Sequence, residues 1–402
     1  MKKRDLVLIN MSNYSEWANG ISNRNFHVFK ELEKSPEIDK IICVDFPPMT
    51  WRRAIRNYFD LPPLVLGKPM RDYRDNASTL AHGKVIKRDL LGRVTKLSDR
   101  LYTYSSAEFF FNPKLYCERL KKQLIELGFN EYVVWSFFPP IMPYVQLLTP
   151  RLTVFDAVDN WAQHSSYVHF KQKLETAYDY IKKNTPVIFT VSEDLQKIFD
   201  NQDNVYWIPN GVDLKHYQSS RRLINRDIAD LPRPIIGYIG VIQKRVDLPL
   251  VKYLAEKNPD KSFVLCGPIW YTEDFHELQL LPNVHILGYK EYDESPQYIQ
   301  QFDVALIPHK QDDFITSTNP MKMYEYLACG KPVVATAHSG AEMFPEEIHI
   351  ADTYEDFNDK LQLALKDVGD EDKAQAKKKL MENYSWAKTV KRMLELVDKK
   401  ID

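Results

Sequence analysis

The sequence predicts an α/β protein built of two doubly wound domains. Short β-rich apolar runs alternate with longer stretches of helical period in both halves, a rhythm that implies parallel sheets covered by helices on both faces. At 402 residues, 44% of them hydrophobic, the chain exceeds what one core usually supports, so two domains of about 150 to 200 residues are expected.

The front-half strands are expected at "LVLIN" (Leu6 to Asn10), "KIICVDF" (Lys40 to Phe46), "EYVVWSF" (Glu131 to Phe137), "LTVFDAV" (Leu152 to Val158), "PVIFTVS" (Pro186 to Ser192) and "VYWIP" (Val205 to Pro209). Helical segments such as "NRNFHVFKELEK" and "EDLQKIFDNQ" separate most of them. The back half repeats the pattern in "PIIGYIG", "SFVLCGP", "NVHILGY", "FDVALIP" and "KPVVATA", and most of these runs end in Gly or Pro, where a strand leaves its sheet. Two such domains side by side would set their strand C-termini across a shared cleft, where open α/β sheets bind ligands. The boundary falls in the turn-rich, then charged, stretch Ile208 to Pro234. That gives a first domain over 1–209, a second over 210–380, and a terminal helix over 381–402. Trp386, Val390, Met393, Leu394 and Val397 recur on this helix at helical spacing, so it is expected to dock back on the first domain.

Composition excludes several classes. A net charge of −1 argues against nucleic acid as the general partner. Cys43, Cys117, Cys266 and Cys329 lie far apart with no metal-type spacing and read as reduced thiols of a cytosolic protein. The start "MKKRDLVLIN" has an apolar run of only Leu6 to Ile9, which suits a first buried strand rather than a signal peptide. No run approaches the roughly 20 apolar residues that span a bilayer, so any membrane attachment is expected to be peripheral. Between Thr50 and Ser105, however, twelve Lys or Arg stand against five Asp, interleaved with Trp51, Tyr58, Phe59, Tyr73, Leu90, Leu91, Leu101 and Tyr102. This pattern suits an anionic membrane surface or a lipid-diphosphate acceptor, and equally a solvated excursion of the first domain.

The stretch "STNPMKMYEYLACGKPVVAT" (Ser317 to Thr336) carries the chemistry. Asn319 suits an N-cap and Pro320 the first helical position, so a helix is expected from here to about Ala328, its free N–H groups facing an anion such as a diphosphate. Lys322 and Glu325 share one face of it, the first able to meet a phosphate and the second the hydroxyls of a ribose. An ordinary surface ion pair beside a Gly330 cap fits the same spacing.

"NPMKMYEYLACGKPVVAT" resembles the nucleotide-sugar motif of GT-B glycosyltransferases of the family four type, in which a glutamate of this helix grips the donor ribose. "GVIQKRVDLPLVKYLAEKNPDKSFVLCGP", "VHILGYKEYDESPQYIQQFDVALIPH" and "TVSEDLQKIF" with "WIPNGVD" match further parts of the family in the expected order. At the front, "YSEWANGISNRNFHVFKEL" and "TVFDAVDNW" are similar to the acceptor side of bacterial enzymes that build teichuronic-acid-type and related surface polysaccharides. The likeness covers most of the chain and is weakest from about Thr50 to Glu131. It implies two Rossmann-like domains facing a central cleft, the donor on the second and the acceptor on the first.

The resemblance also implies roles. Gly240 opens the phosphate loop, followed by Lys244 and Arg245; Gly267 approaches the nucleotide, and backbone around Gly288 and Tyr289 reads the base. Arg245 and Lys322 stabilise the departing diphosphate, and Glu325 holds the ribose. Trp17, Arg24 and His27 line the acceptor side, and Asp156 and Asp159 stand near an acceptor hydroxyl. Each residue has a plainer reading: a turn glycine, an Arg24 paired with Glu31, a core or capping His27, and aspartates capping the next helix. Two departures stand out. The family motif places a glutamate eight positions before Glu325, where this chain has Ser317, leaving a sugar contact to backbone near Thr318 and Asn319. Asp247 stands where many relatives carry lysine.

The implied activity is a hexosyltransferase moving a sugar from an NDP-sugar, UDP for preference, to a hydroxyl of a lipid-linked or growing surface glycan. It is expected to retain configuration, to need no metal or other cofactor, and to work in the cytoplasm or at the inner face of the bacterial plasma membrane. A sugar-nucleotide epimerase of the same fold and a degenerate transferase acting as an assembly partner remain as alternatives.

Overall fold

Most parallel strands of the first unit are buried on both faces, as helix-covered parallel strands must be. A computed structural model describes residues 3–18, 20–48, 50–59, 64–65, 68–69, 83–108, 111–218, 225–270 and 275–401. The chain divides into two compact units, 1–208 with 390–402, and 209–389.

The first unit holds β1 (Arg4–Ile9), β2 (Ile38–Val44), β3 (Lys84–Asp89), β4 (Gly92–Lys96), β5 (Leu101–Ser106), β6 (Val133–Ser136), β7 (Leu152–Ala157), β8 (Val187–Thr190) and β9 (Val205–Trp207). Among the described residues these form one nine-stranded sheet in the order β9-β8-β7-β6-β1-β2-β5-β4-β3. From β9 to β5 the pairs are parallel, with Ile9 opposite both Val44 and Ser136. Alternation decides the faces: Val7, Ile9, Ile42 and Val44 pack with Tyr116, Leu120 and Leu124 of α2 (Pro113–Glu126). α1 (Arg24–Lys34) is capped by Asn23, whose side chain accepts from Phe26 N.

The basic region is partly built into this sheet. β5 is buried along its whole length and runs parallel to β2, while β3 and β4 add an antiparallel hairpin at the edge. Leu101, Tyr102 and Tyr104 supply the buried surface that the surrounding charges hide from a sequence reading. At the hairpin turn Leu90 is 84% exposed and Leu91 40%, flanked by Lys87, Arg88 and Arg93. Arg71, Tyr73 and Arg74 lie outside the described residues, as do the side chains of Arg56, Tyr58, Phe59 and Lys68.

The second unit holds β10 (Ile235–Ile239), β11 (Ser262–Cys266), β12 (Val284–Gly288), β13 (Val304–Ile307), β14 (Val333–Thr336) and β15 (Ile348–Ala351). All pairs are parallel, in the order β12-β11-β10-β13-β14-β15. The terminal β15 was not expected, because "IHIA" is short and alternates with polar residues. α3 (Leu248–Lys257) and α5 (Tyr354–Lys366) cover one face through Val251, Leu254, Phe357 and Leu361. α4 (Met321–Ala328) covers the other through Met323, Tyr324 and Leu327. Chain order reverses between β10 and β13, so their C-terminal ends flank the switch point of the sheet.

α6 (Trp386–Ile401) buries Trp386, Val390, Met393 and Val397, the stripe expected from spacing. Its last residues belong to the first unit: Asp398 pairs with Arg4, and Arg151 Nη2 donates to Ile401 O at 3.4 Å. Among the described residues no helix is long and apolar enough to cross a membrane.

Candidate functional site

The loops after β10 and β11 approach one another so closely that only glycine fits. Gly267 has φ +142°, and a Cβ there would lie 2.0 Å from the Gly240 carbonyl oxygen. Gly240 itself has φ +139°, and its missing side chain leaves space that Lys322 Cε occupies, 3.2 Å from where a Cβ would stand. The close approach expected of Gly267 toward a ligand is thus made in the structure to Gly240. Backbone bonds lock the pair: Gly240 N donates to Cys266 O at 2.9 Å, and Gly267 N to Gly288 O at 2.7 Å.

Beyond Gly240 the loop passes Lys244, which is exposed, and Arg245, which is half-buried beside Gln243. Lys310 N donates to Arg245 O at 2.8 Å and Asp247 N to Pro308 O at 2.8 Å, tying the loop to the chain leaving β13. Asp247, the departure from the family lysine, has structural partners. Its Oδ1 caps α3 by accepting from Leu250 N at 3.1 Å, and the Tyr354 hydroxyl donates to it at 2.9 Å.

The start of α4 differs from expectation by one residue. Pro320 is the cap residue, with ψ 121° and no side-chain capping bond, whereas Asn319 is committed elsewhere. Asn319 Oδ1 accepts from Asn210 N and from the Tyr324 hydroxyl, each at 2.9 Å, and Asn210 Nδ2 donates to Asn319 O at 2.6 Å. This explains the role of Asn210 in the "IPNGVD" turn, which spacing alone did not show. Thr318 is buried and its hydroxyl donates to Ile315 O at 2.7 Å, while Gly340, at φ +81°, packs where a Cβ would meet Thr318 O at 2.6 Å. Ser317 donates to Phe314 O at 2.8 Å. Ile239 N donates to the Tyr326 hydroxyl at 3.0 Å, which fixes α4 against the end of β10.

Lys322 and Glu325 come to one site with Arg245. Lys322 Nζ lies 5.2 Å from the Tyr238 ring centroid, and desolvation, then the Arg245 charge, bring its pKa down to about 7 against the opposing pull of Glu325. Desolvation pushes the Glu325 carboxyl up, although Lys322 and the Tyr217 hydroxyl hold it back. Both side chains keep partial solvent exposure, yet enough protein surrounds them to disfavour charge on each. His309, at the end of β13, joins them: it is buried, and desolvation followed by Lys322 and Arg245 drives its pKa well below the usual imidazole value. Sequence reading passed over it, although a polar residue directly after the apolar run "VALIP" was the available signal. Tyr289 stands beyond β12, half-buried, its hydroxyl donating to Glu291 at 3.2 Å.

In the first unit, two residues nominated separately pair with each other. Arg24 Nε meets Asp156 Oδ1 at 2.9 Å, with the two side chains 1% and 0% exposed. Desolvation raises the Asp156 carboxyl pKa, while Arg24 and then Trp135 hold it back. Asp156 is therefore enclosed as the anchor of Arg24, not open to an incoming hydroxyl, and Arg24 does not depend on Glu31. His27 Nε2 and Ser22 Oγ are 2.7 Å apart, and Trp17 stacks on Phe29 at 5.3 Å, so both rings are packed residues of this end of α1. Asp159 is half-buried, and its carbonyl accepts from the Tyr178 hydroxyl at 3.1 Å.

A cavity of about 740 Å³ lies elsewhere in the second unit, at the N-terminal edge of its sheet, lined by Arg233, Asp303, Lys331, Lys377 and Lys378 among others. Lys331 spends its ammonium on Gln300 O and Phe302 O, and Arg233 on Asp303. Open α/β sheets bind at the opposite edge, so the loops after β10 and β13 are the better candidate.

The buried Arg24–Asp156 pair generates a test. Asp156→Ala takes the carboxylate from a buried guanidinium and is expected to cost about 3–5 kcal/mol in urea unfolding, while the double change Arg24→Met with Asp156→Leu costs far less. Equal losses in both would show that packing, not charge, dominates there.

Residues 233–367 match the family described as Glycosyl transferases group 1. Over 217 residues, 50% of this chain, the sequence is 30% identical to the putative teichuronic acid biosynthesis glycosyltransferase TuaH of Bacillus subtilis (strain 168). That match spans 55% of TuaH, about half the length of the curated relative. Among solved structures, Anabaena Alr3699/HepE in complex with UDP aligns over 99% of this chain and 100% of its own, at TM-score 0.65 and 14% identity. The same protein in complex with UDP-glucose aligns over 98% and 99%, at TM-score 0.62 and 14% identity. Sucrose-phosphate synthase from Thermosynechococcus elongatus aligns over 99% of both chains, at TM-score 0.69 and 14% identity. The segment 233–367 of the second unit is thus similar to Glycosyl transferases group 1 domains, and the chain shares with these solved structures the GT-B fold of two Rossmann-like α/β domains.

Proposed function

We propose that the protein transfers a sugar from a UDP-sugar to a hydroxyl of a lipid-linked or growing cell-surface polysaccharide, with retention of configuration and without a metal. The single observation that carries this is the meeting of Arg245, Lys322 and Glu325 beside the Gly240 loop at the switch point of the second sheet. Two cations opposed by one carboxylate suit a dianionic diphosphate, and Glu325 one helical turn on suits the ribose diol. UDP in the HepE complexes and the polymer named for TuaH support the choice of donor base and acceptor class.

In the reaction the acceptor hydroxyl oxygen bonds to the anomeric carbon as the bond from that carbon to the diphosphate oxygen breaks. The hydroxyl proton passes to the leaving diphosphate on the same face. Arg245, Lys322 and the N-terminus of α4 carry the charge that grows on that group. The first unit takes the acceptor: Trp17, His27 and the Arg24–Asp156 pair shape its side, with Asp159 the more accessible carboxylate. The β3–β4 hairpin, with Leu90 and Leu91 between basic residues, rests on anionic lipid that presents the acceptor.

Calorimetric titration with UDP, GDP and ADP in EDTA tests the donor site. UDP is expected to bind, and Glu325→Ala and Arg245→Ala to weaken it roughly tenfold or more. In the empty site Lys322 loses its proton near pH 7, whereas a bound diphosphate favours the charged form. Binding therefore takes up a proton, and affinity falls as pH rises above 7, by up to about tenfold per unit. Lys322→Arg, always charged, removes that slope; a slope unchanged in this variant contradicts the assignment. For the hairpin, sedimentation with vesicles containing anionic lipid is expected to drop several-fold in Leu90→Asp with Leu91→Asp while UDP affinity stays unchanged. Equal sedimentation of both proteins removes the hairpin from the membrane contact.

A further inference from the structure

His309 has no part in the roles assigned above, yet the charges of Lys322 and Arg245 act on it. It is 1% exposed, and among the described residues neither ring nitrogen has a hydrogen-bond partner. Buried polar groups usually have one, supplied by the protein, a water or a ligand. The backbone around it is fixed from two directions. His309 N donates to Thr336 Oγ1 at 3.1 Å, the Thr336 hydroxyl donates back to His309 O at 2.8 Å, and the chain bridges antiparallel to Val246. The ring is thus held where β13 ends beside β10, the switch point at which open sheets bind ligands.

Its charged surroundings are Arg245, on the loop after β10, and Lys322, on α4; Glu325 acts on Lys322 in turn. Two cations already match the two negative charges of a nucleoside-diphosphate sugar. A third cation adds little there, and burial keeps the imidazole neutral at pH 7. A neutral imidazole always carries one N–H, and a diphosphate oxygen is an acceptor.

We propose that His309 donates a ring N–H to the diphosphate of the sugar donor, an uncharged ligand beside Arg245 and Lys322. This rests on the reading of the second unit as the donor site. It adds to that site a residue that senses the diphosphate rather than the nucleoside.

The test is titration of the full chain with UDP, UMP and uridine, comparing wild type with His309→Phe, His309→Asn and His309→Gln. Phe fills the volume without an N–H, whereas Asn and Gln offer an amide N–H near the positions of Nδ1 and Nε2. The expected result is a roughly tenfold loss of UDP affinity in His309→Phe, little change for uridine, and recovery in one of the two amide variants. A parallel loss for all three ligands, or no loss for UDP, overturns the proposal. Because His309→Phe can misfold, imidazole 15N spectra of the wild type give a second readout. UDP should shift the signal that is missing from His309→Gln, while uridine leaves it in place; an unmoved signal on UDP saturation overturns the proposal. Wild-type protein that binds uridine, UMP and UDP alike sinks the inference and spares a nucleoside site, whereas wild type that binds none of them sinks the donor-site reading along with it.

Discussion

The second unit is organised around charge that its surroundings disfavour. Lys322 sits over the Tyr238 ring, among enough protein to bring its pKa to about 7, with Arg245 adding like charge and Glu325 opposing it. Leaving such groups underpaired costs stability, and natural sequences keep that cost where a ligand relieves it. His309 adds an imidazole whose nitrogens find no partner among the described residues. All three side chains are carried by backbone that the surrounding hydrogen bonds hold in place.

The backbone supplies the rigidity. Gly267 against Gly240 brings two loops into direct contact, and Lys322 fills the space that a Gly240 side chain would take. Tyr326 bonds to Ile239 N, and Asn319 joins Asn210 to Tyr324, so α4 is fixed to both the sheet and the "IPNGVD" turn. Asp247 anchors the far end of the Gly240–Arg245 loop by capping α3 and meeting Tyr354. A substitution that looks like a loss of positive charge is, in the folded chain, a brace for the loop that carries Arg245. Catalysis by preorganised charge depends on such braces, since donors that must first be oriented contribute less.

Much of this was legible in the sequence, for stated reasons. Most strands of the second sheet end on Gly or Pro, and α4 lies between an Asn-Pro start and a Gly330 stop, signals that arise from local backbone chemistry. Local chemistry also sets the limits. Asn319 reads as a cap, but its side chain is taken by Asn210, 109 residues away. Arg24 and Asp156 meet across 132 positions, and no spacing rule links them. β3, β4 and β5 were hidden because Lys and Arg between Lys84 and Arg100 mask the alternation, and β15 because four residues are too few to show a period. His309 was missed for the opposite reason: a single polar residue after a strand is common, and only burial without partners sets it apart.

The most direct measurement is a crystal structure of the protein grown with UDP. The diphosphate is predicted between the Gly240–Arg245 loop and the first turn of α4, in contact with Arg245 and Lys322, and the ribose beside Glu325. Nucleotide in the cavity at the opposite edge of the sheet, near Lys331 and Lys377, would contradict the assignment, as would a switch point left without ligand at saturating UDP.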